Sequence, residues 1–121
     1  MRSALAAAGV APQEVDVVNM HATGTSQGDE VEWAAVQQVF GEGPWLQATK
    51  ALVGHSLGTA SLVEAVASVL QISAQRVHAS PVEDPLGPRV ATLPQPGPVR
   101  HIVSNAFAFG GLSTSLVFSR V

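Results

Sequence analysis

Leu57-Gly58-Thr59-Ala60-Ser61-Leu62-Val63-Glu64-Ala65-Val66-Ala67-Ser68-Val69-Leu70-Gln71-Ile72-Ser73, residues 57–73, reads as one helix that is apolar or small nearly all round. A helix with no polar face is covered on every side. It therefore belongs between two sheets, in the middle of a thick sandwich. Glu64 is the one acid in it, and it stands out for that reason.

Upstream of this helix the pattern alternates between short strands and helices. Residues 46–50 read as a short strand ending at Lys50, followed by a loop from Ala51 to His55. Before it, Asp29 and Glu30 open a helix that runs to about Phe40, and acids in a first turn suit the helix dipole. Val31, Ala34, Ala35 and Val39 supply its apolar stripe, and Gly41 to Pro44 stops it. Val15 to Val18 predict a short buried strand. Its end delivers Asn19-Met20-His21 into a Thr-, Ser- and Gly-rich loop from Ala22 to Gly28. Residues 3–8 are Ala-rich and helical, with Gly9 as the C-cap. The opening segment is a weak mimic of a signal peptide, but its apolar stretch is short and runs straight into a strand.

Downstream, residues 80–98 hold six of the eight prolines, at 81, 85, 88, 94, 96 and 98. Such density predicts a long irregular connection packed on other structure. Arg100 to Asn105 and Ser113 to Ser119 then read as an antiparallel strand pair, with the bend at Ala106 to Gly111. No repeat at solenoid periods is present.

Composition narrows the function classes. The chain has 121 residues, enough for one small domain. Hydrophobic residues make up 46 % and charged residues 12 %, more apolar material than a lone domain of this size easily hides. A net charge of −3 with six Lys plus Arg gives no basic footprint for nucleic acid, and no evident docking patch for an acidic carrier protein. There is no cysteine, so the chain holds neither a disulfide framework, nor a cysteine zinc site, nor a thiol nucleophile. The longest apolar run is too short to span a bilayer. A cytoplasmic enzyme fragment, with no membrane partner, is the expectation.

Chemistry-bearing residues cluster in three loops at strand ends, where sites sit on α/β scaffolds. They are His21 in His21-Ala22-Thr23-Gly24-Thr25, the pair Lys50 and His55, and the Phe109-Gly110-Gly111 turn. His21 and His55 stand 34 positions apart, so only the fold can bring them together. Two neutral imidazoles could present two N–H donors to one oxygen, a metal-free oxyanion hole suited to an enolate formed by decarboxylation of a malonyl thioester. Lys50 could hold a nearby carboxylate and bias the protonation of the histidines. Trp33 and Trp45 are expected to pack, and His78 and His101 to be structural or exposed.

Three segments, in order, resemble one family. Asn19-Met20-His21-Ala22-Thr23-Gly24-Thr25-Ser26-Gln27-Gly28-Asp29 is similar to the first histidine motif of beta-ketoacyl synthases. Thr49-Lys50-Ala51-Leu52-Val53-Gly54-His55-Ser56-Leu57-Gly58-Thr59-Ala60 resembles their lysine and second-histidine motif. Asn105-Ala106-Phe107-Ala108-Phe109-Gly110-Gly111 resembles their C-terminal gating loop. The resemblance covers essentially the whole chain.

The resemblance implies a thiolase-like α/β fold, an αβαβα layered sandwich. Residues 1–121 would be its C-terminal portion, truncated on the N-terminal side and lacking the half that carries the cysteine. It implies an acyltransferase that condenses an acyl thioester with malonyl carried on acyl carrier protein, releasing carbon dioxide. As an isolated chain it would be inactive for condensation. His21 and His55 match the catalytic histidines and Lys50 the active-site lysine. Glu64 and Asp29 match supporting acids, Thr23 and Thr25 match hydroxyls that contact the phosphopantetheine arm, and Phe109 with Gly110 match the gate. No cofactor beyond the carrier's phosphopantetheine and no metal is implied. The implied partners are acyl carrier protein, the cysteine-bearing half, and a second copy in the full enzyme. Two departures bear on the gate: Ala108 stands where the family has glycine, and Leu112-Ser113 replace Thr-Asn. Thiolases proper carry a C-terminal catalytic cysteine, which this chain lacks. A non-catalytic scaffold or chain-length partner, and a malonyl decarboxylase, are the alternatives.

Overall fold

The computed structural model describes residues 1–121. Helix α1, Arg2–Ala8, ends at Gly9 in the left-handed conformation (φ 66°), whose N–H returns to the last turn. Strand β1, Val17–Asn19, is followed by α2, Ser26–Phe40, and β2, Trp45–Gln47. A four-residue helix α3, Lys50–Val53, and a 3₁₀ turn, Leu57–Thr59, lead into α4, Ala60–Ala74. Two short strands follow, β3, Arg76–Val77, and β4, Gln95–Pro96. The chain closes with the long hairpin of β5, His101–Ala108, and β6, Leu112–Ser119.

The main sheet has the order β2-β1-β5-β6, and β3 pairs with β4 in a separate small sheet. β1 is parallel to both neighbours, in a register that sets Val17 opposite Ile102 and Val18 opposite Val103. Because side chains alternate across a strand, this register sorts the core into two layers. Val18 and Val103 join Leu5, Val36 and Phe40 from α1 and α2 on one face. Val17 and Ile102 join Val77, Ala91 and Val99 on the other, with Ile72 of α4 packed against them. Helices α1 and α2 thus cover one face, while α4 and the 76–99 connection cover the other. The parallel strands β1 and β2 end at the same edge and deliver both histidine loops there.

Several elements differ from the sequence reading. Helix α2 begins at Ser26, three residues before Asp29, with Thr25 as N-cap. Its buried side is Glu32, Val36 and Phe40; of the expected stripe Val39 packs half-buried against the core, while Val31 is 65 % exposed. The strand expected to reach Lys50 stops at Gln47, and Lys50 instead opens α3, where a loop was expected. The bend between the last strands is only Phe109-Gly110-Gly111, since β5 runs through Ala108. The proline-rich connection is largely irregular as expected, but Val90 forms an isolated bridge to Leu46, and Ser80 and Ala91 are fully buried.

The largest difference concerns α4, which is not covered all round in this chain. Its sheet-facing side is Ala60, Glu64, Ser68 and Gln71, at i, i+4, i+8 and i+11. Leu62, Val66 and Leu70 are 67 %, 53 % and 61 % exposed. The helix therefore turns Glu64, Ser68 and Gln71 inward and much of its apolar side outward. By length and composition Leu57–Ala74, 18 residues, is apolar enough for a short membrane span, although no uninterrupted apolar run in it is. Its inward side carries a buried charged pair and polar side chains packed on the sheet.

Exposed apolar surface on this scale drives association. The isolated chain is expected to self-associate in sedimentation velocity, and Glu at Leu62, Val66 and Leu70 together is expected to return it to monomer. A monodisperse parent chain with a cooperative melt would contradict this reading of the face.

Candidate active site

At the carboxyl edge of β1 and β2 the two imidazoles meet. Their ring centroids lie 5.9 Å apart and the rings are nearly perpendicular, at 88°. Phe107 of β5 packs on the other side of His21, at 5.4 Å between centroids. Together with Glu64 and Leu112 they line a cleft of about 240 Å³. Outside the carboxyl ends of parallel strands is where α/β folds place ligand crevices.

Each imidazole is held by its own local device. Val17–Asn19 ends the strand, and the backbone N–H groups of His21 and Ala22 then donate to the two oxygens of Glu32, both at 2.9 Å. Asn105 Nδ2 donates to the same carboxylate at 3.0 Å. This clamp sits beside a strained residue, since Ala22 has φ 31°. A non-glycine residue in that region persists only when its surroundings enforce it. His55 is fixed differently. Leu57, also left-handed at φ 51°, donates its backbone N–H to His55 Nδ1 at 3.2 Å. Nδ1 is then the acceptor of a neutral ring, so Nε2 carries the proton and is the donor.

Beneath the cleft the ammonium of Lys50 is bonded to Glu64, with both side chains buried. The carboxylate that Lys50 was expected to hold is thus one on its own chain. Burial pushes Glu64 above the ordinary carboxylate range, against the downward pull of Lys50. Burial likewise raises Glu32, with the N–H donors of Ala22 and His21 opposing. His21 is held below the ordinary imidazole value of 6.5, first by burial, then by the charge of Lys50, then by His55. The site therefore keeps His21 neutral at neutral pH.

The other residues singled out from sequence are spread more widely. Thr23 and Thr25 are exposed at the mouth of the His21 loop. Phe109 stands fully exposed at the hairpin turn, and Gly110 and Gly111 supply the left-handed angles (φ 82° and 81°) that the turn requires. Ala108 ends β5 without a left-handed angle, so its methyl is accommodated here. Asp29 faces away, lining a separate cavity with Met20 and Trp33. Its charge raises His21 only as the last of four influences, and it makes no hydrogen bond to the site. The acid that organises the His21 loop is Glu32, which sequence reasoning passed over. Its signal was present in the spacing of Glu32, Val36 and Phe40, an acid on an i, i+4, i+8 buried stripe. Phe107 and Asn105 were quoted within the hairpin motif but given no role.

This fold and this edge define a thiolase-like domain, and solved structures like it agree. A beta-ketoacyl synthase from Burkholderia phymatum superposes with a TM-score of 0.89 at 31 % identity, covering 100 % of this chain and 31 % of that one. A ketosynthase in complex with its chain length factor, from Xenorhabdus doucetiae, gives 0.87 at 33 % identity, covering 100 % and 32 %. The chain belongs to the beta-ketoacyl synthase family: residues 1–81 match its description "Beta-ketoacyl synthase, C-terminal domain". A chloroplastic 3-oxoacyl-[acyl-carrier-protein] synthase II of Arabidopsis thaliana is 37 % identical over 128 residues, covering 96 % of this chain and 23 % of the relative. The 3-oxoacyl-[acyl-carrier-protein] synthase 2 of Coxiella burnetii is 36 % identical over 132 residues, covering 100 % and 31 %. The chain thus spans less than a third of the length of these relatives.

Two outcomes follow from the geometry. Glu32→Ala leaves two backbone donors and Asn105 without an acceptor, and is expected to cost about 3 kcal/mol in denaturant unfolding. In an NMR titration His21 is expected to take its proton below 6.5. Lys50→Met, which removes a neighbouring positive charge, should move that midpoint upward.

Proposed function

We propose that this chain supplies the decarboxylating half of a beta-ketoacyl synthase active site. The observation that carries the reading is the facing pair His21 and His55, poised over the buried Lys50–Glu64 pair. In this reading each neutral ring gives one N–H to the same substrate oxygen, and the 5.9 Å between ring centroids supports that reach. A malonyl thioester whose thioester carbonyl supplies that oxygen loses carbon dioxide as follows. The bond to the carboxylate carbon breaks, and its electron pair moves toward the thioester carbonyl. The resulting enolate oxygen is stabilised by the two imidazole N–H groups. The enolate carbon then attacks an acyl thioester held on a cysteine outside this chain, and the cysteine thiolate leaves. No proton needs to come from the histidines, so neutral rings suffice. Lys50 helps keep His21 neutral while Glu64 balances the ammonium.

The remaining assignments belong to the same proposal. Thr23 and Thr25, both exposed in the His21 loop, receive the phosphopantetheine arm of an acyl carrier protein in this reading. Phe109 and Gly110, on the exposed turn, serve as the gate, and Asp29 acts on His21 at long range. The working enzyme is a soluble acyltransferase of fatty acid or polyketide synthesis, placed in the cytoplasm and needing no cofactor or metal. It joins this chain to a cysteine-bearing half and pairs with a second copy. One structural relative is described as an acyl-carrier protein in complex with its ketosynthase, which supports the carrier as partner. A non-catalytic chain-length partner has no chemical use for His21, Lys50 and His55 together.

The test is to assemble this chain with the cysteine-bearing remainder of the Coxiella synthase and follow condensation of an acyl thioester with malonyl-acyl-carrier protein. His21→Ala and His55→Ala are each expected to lower turnover by about 10²–10³. Turnover that is indifferent to both substitutions would overturn the assignment. Carbon dioxide release without condensation would favour the decarboxylase reading.

A further inference from the structure

His78 lies outside the cleft, and the mechanism above makes no use of it. It follows β3 and is half-buried. Its backbone N–H donates to Gln71 Oε1 at 3.0 Å, and Gln71 lies on the inward side of α4, two turns beyond Glu64. Its ring reaches the other way. Nε2 stands 3.1 Å from Thr49 Oγ1, and Thr49 immediately precedes Lys50. One residue therefore touches both segments that carry the buried ion pair: α4, which holds Glu64, and the start of α3, which holds Lys50.

The state of the ring follows from its other contact. Nδ1 lies 2.8 Å from the carbonyl oxygen of Ala79, which can only accept, so Nδ1 carries the proton. Burial holds His78 below the ordinary imidazole value, which favours the neutral ring with Nε2 as a bare acceptor. Thr49 occupies the N-cap position of α3, yet its hydroxyl makes no cap bond. It lies instead between His78 Nε2 and Asn19 Oδ1, the latter at 2.9 Å. Asn19 is fully buried in β1, two residues before His21, and is tied to Gln47 and Ser104. The Thr49 hydroxyl thus has two acceptors within reach, Asn19 Oδ1 and His78 Nε2, and its one proton goes to one of them at a time; Asn19 Oδ1 also accepts from Gln47 Nε2.

We propose that His78 is a positioning residue: through Thr49 and Gln71 it fixes Lys50 relative to Glu64. Its relevance to catalysis rests on the reading of Lys50 given above, but the juxtaposition can be tested without any turnover. Lys50 is the only lysine in the chain, so its ammonium gives a single side-chain signal in a proton–nitrogen NMR correlation. In the parent chain, carrying the three Glu substitutions on α4 if these are needed for solution work, that signal is expected to be visible and slow to exchange. His78→Phe keeps a ring of similar size without its nitrogens, and Thr49→Val removes only the hydroxyl. Each is expected to speed ammonium exchange about tenfold, the loss of roughly one hydrogen bond. The double variant is expected to add little further, and Thr49→Ser to restore the slow signal. If His78→Phe fails to fold, Thr49→Val against Thr49→Ser decides alone. A Lys50 signal unchanged in Thr49→Val, or effects of the two substitutions that simply multiply, would overturn the proposal. A second measurement separates it from the functional reading: if Thr49→Val loosens Lys50 while the assembled enzyme turns over regardless of His21, the strut stands and the condensation mechanism falls.

Discussion

The ammonium of Lys50 and the carboxylate of Glu64 meet where water scarcely reaches, and much of the chain is arranged around that meeting. Neither charge tolerates burial alone. Removing one partner of such a pair typically costs about 3–5 kcal/mol, because the other is left desolvated. The pair therefore forces the end of β2 and the first turns of α4 together, although they are separated by the exposed His55 loop. Other polar residues on the inward side of α4 make their own bonds. Glu64, Ser68 and Gln71 are each bonded: to Lys50, to the Glu64 carbonyl at 2.8 Å, and to the His78 N–H at 3.0 Å. A positive charge fixed below the cleft then biases His21 toward the neutral ring that an enolate-stabilising donor pair needs.

Around this pair, the two imidazoles are aimed by backbone devices. Glu32 gathers the N–H groups of the His21 loop, and Leu57 sets the tautomer of His55. Both devices coincide with left-handed non-glycine residues, Ala22 and Leu57. Strain held this close to the chemistry is what a preorganised donor pair requires, since the rings must not relax when charge develops between them. Fold and site are coupled through buried acids, and so a change at Glu32 or Glu64 should disturb stability and chemistry together.

The outward apolar side of α4 shows how a strong pattern is misread in a chain that is less than a third of its relatives' length. Residues 57–73 carry the composition of a helix enclosed on all sides, yet here only one side meets a sheet. The inward side holds the charge that Lys50 binds and a carboxamide that takes the His78 backbone N–H. The apolar side can be covered only by surface that lies outside these 121 residues. The stripe misassigned on α2 has a related cause. Val31 and Ala34 satisfy helical periodicity, but the position facing β1 is held by an acid with bonds to make, and hydrogen bonding outranked hydropathy there.

What could be read from the sequence alone was local or carried by motif. The strand–loop–helix alternation, Gly9 and Gly41 as stops, the proline-dense connection and the closing antiparallel pair follow from backbone preferences that few tertiary contacts override. The ordered set around His21, Lys50, His55 and Phe109 pointed to the family without any coordinates. Tertiary structure alone decided which acid serves which group: Glu32 on the backbone of the His21 loop, Glu64 against Lys50, and His78 joined to Thr49. Those partnerships link residues 11, 14 and 29 positions apart. Sequence periodicity fixes which side of one helix or strand a residue takes, but the partner of a buried polar group is chosen by how separate elements pack.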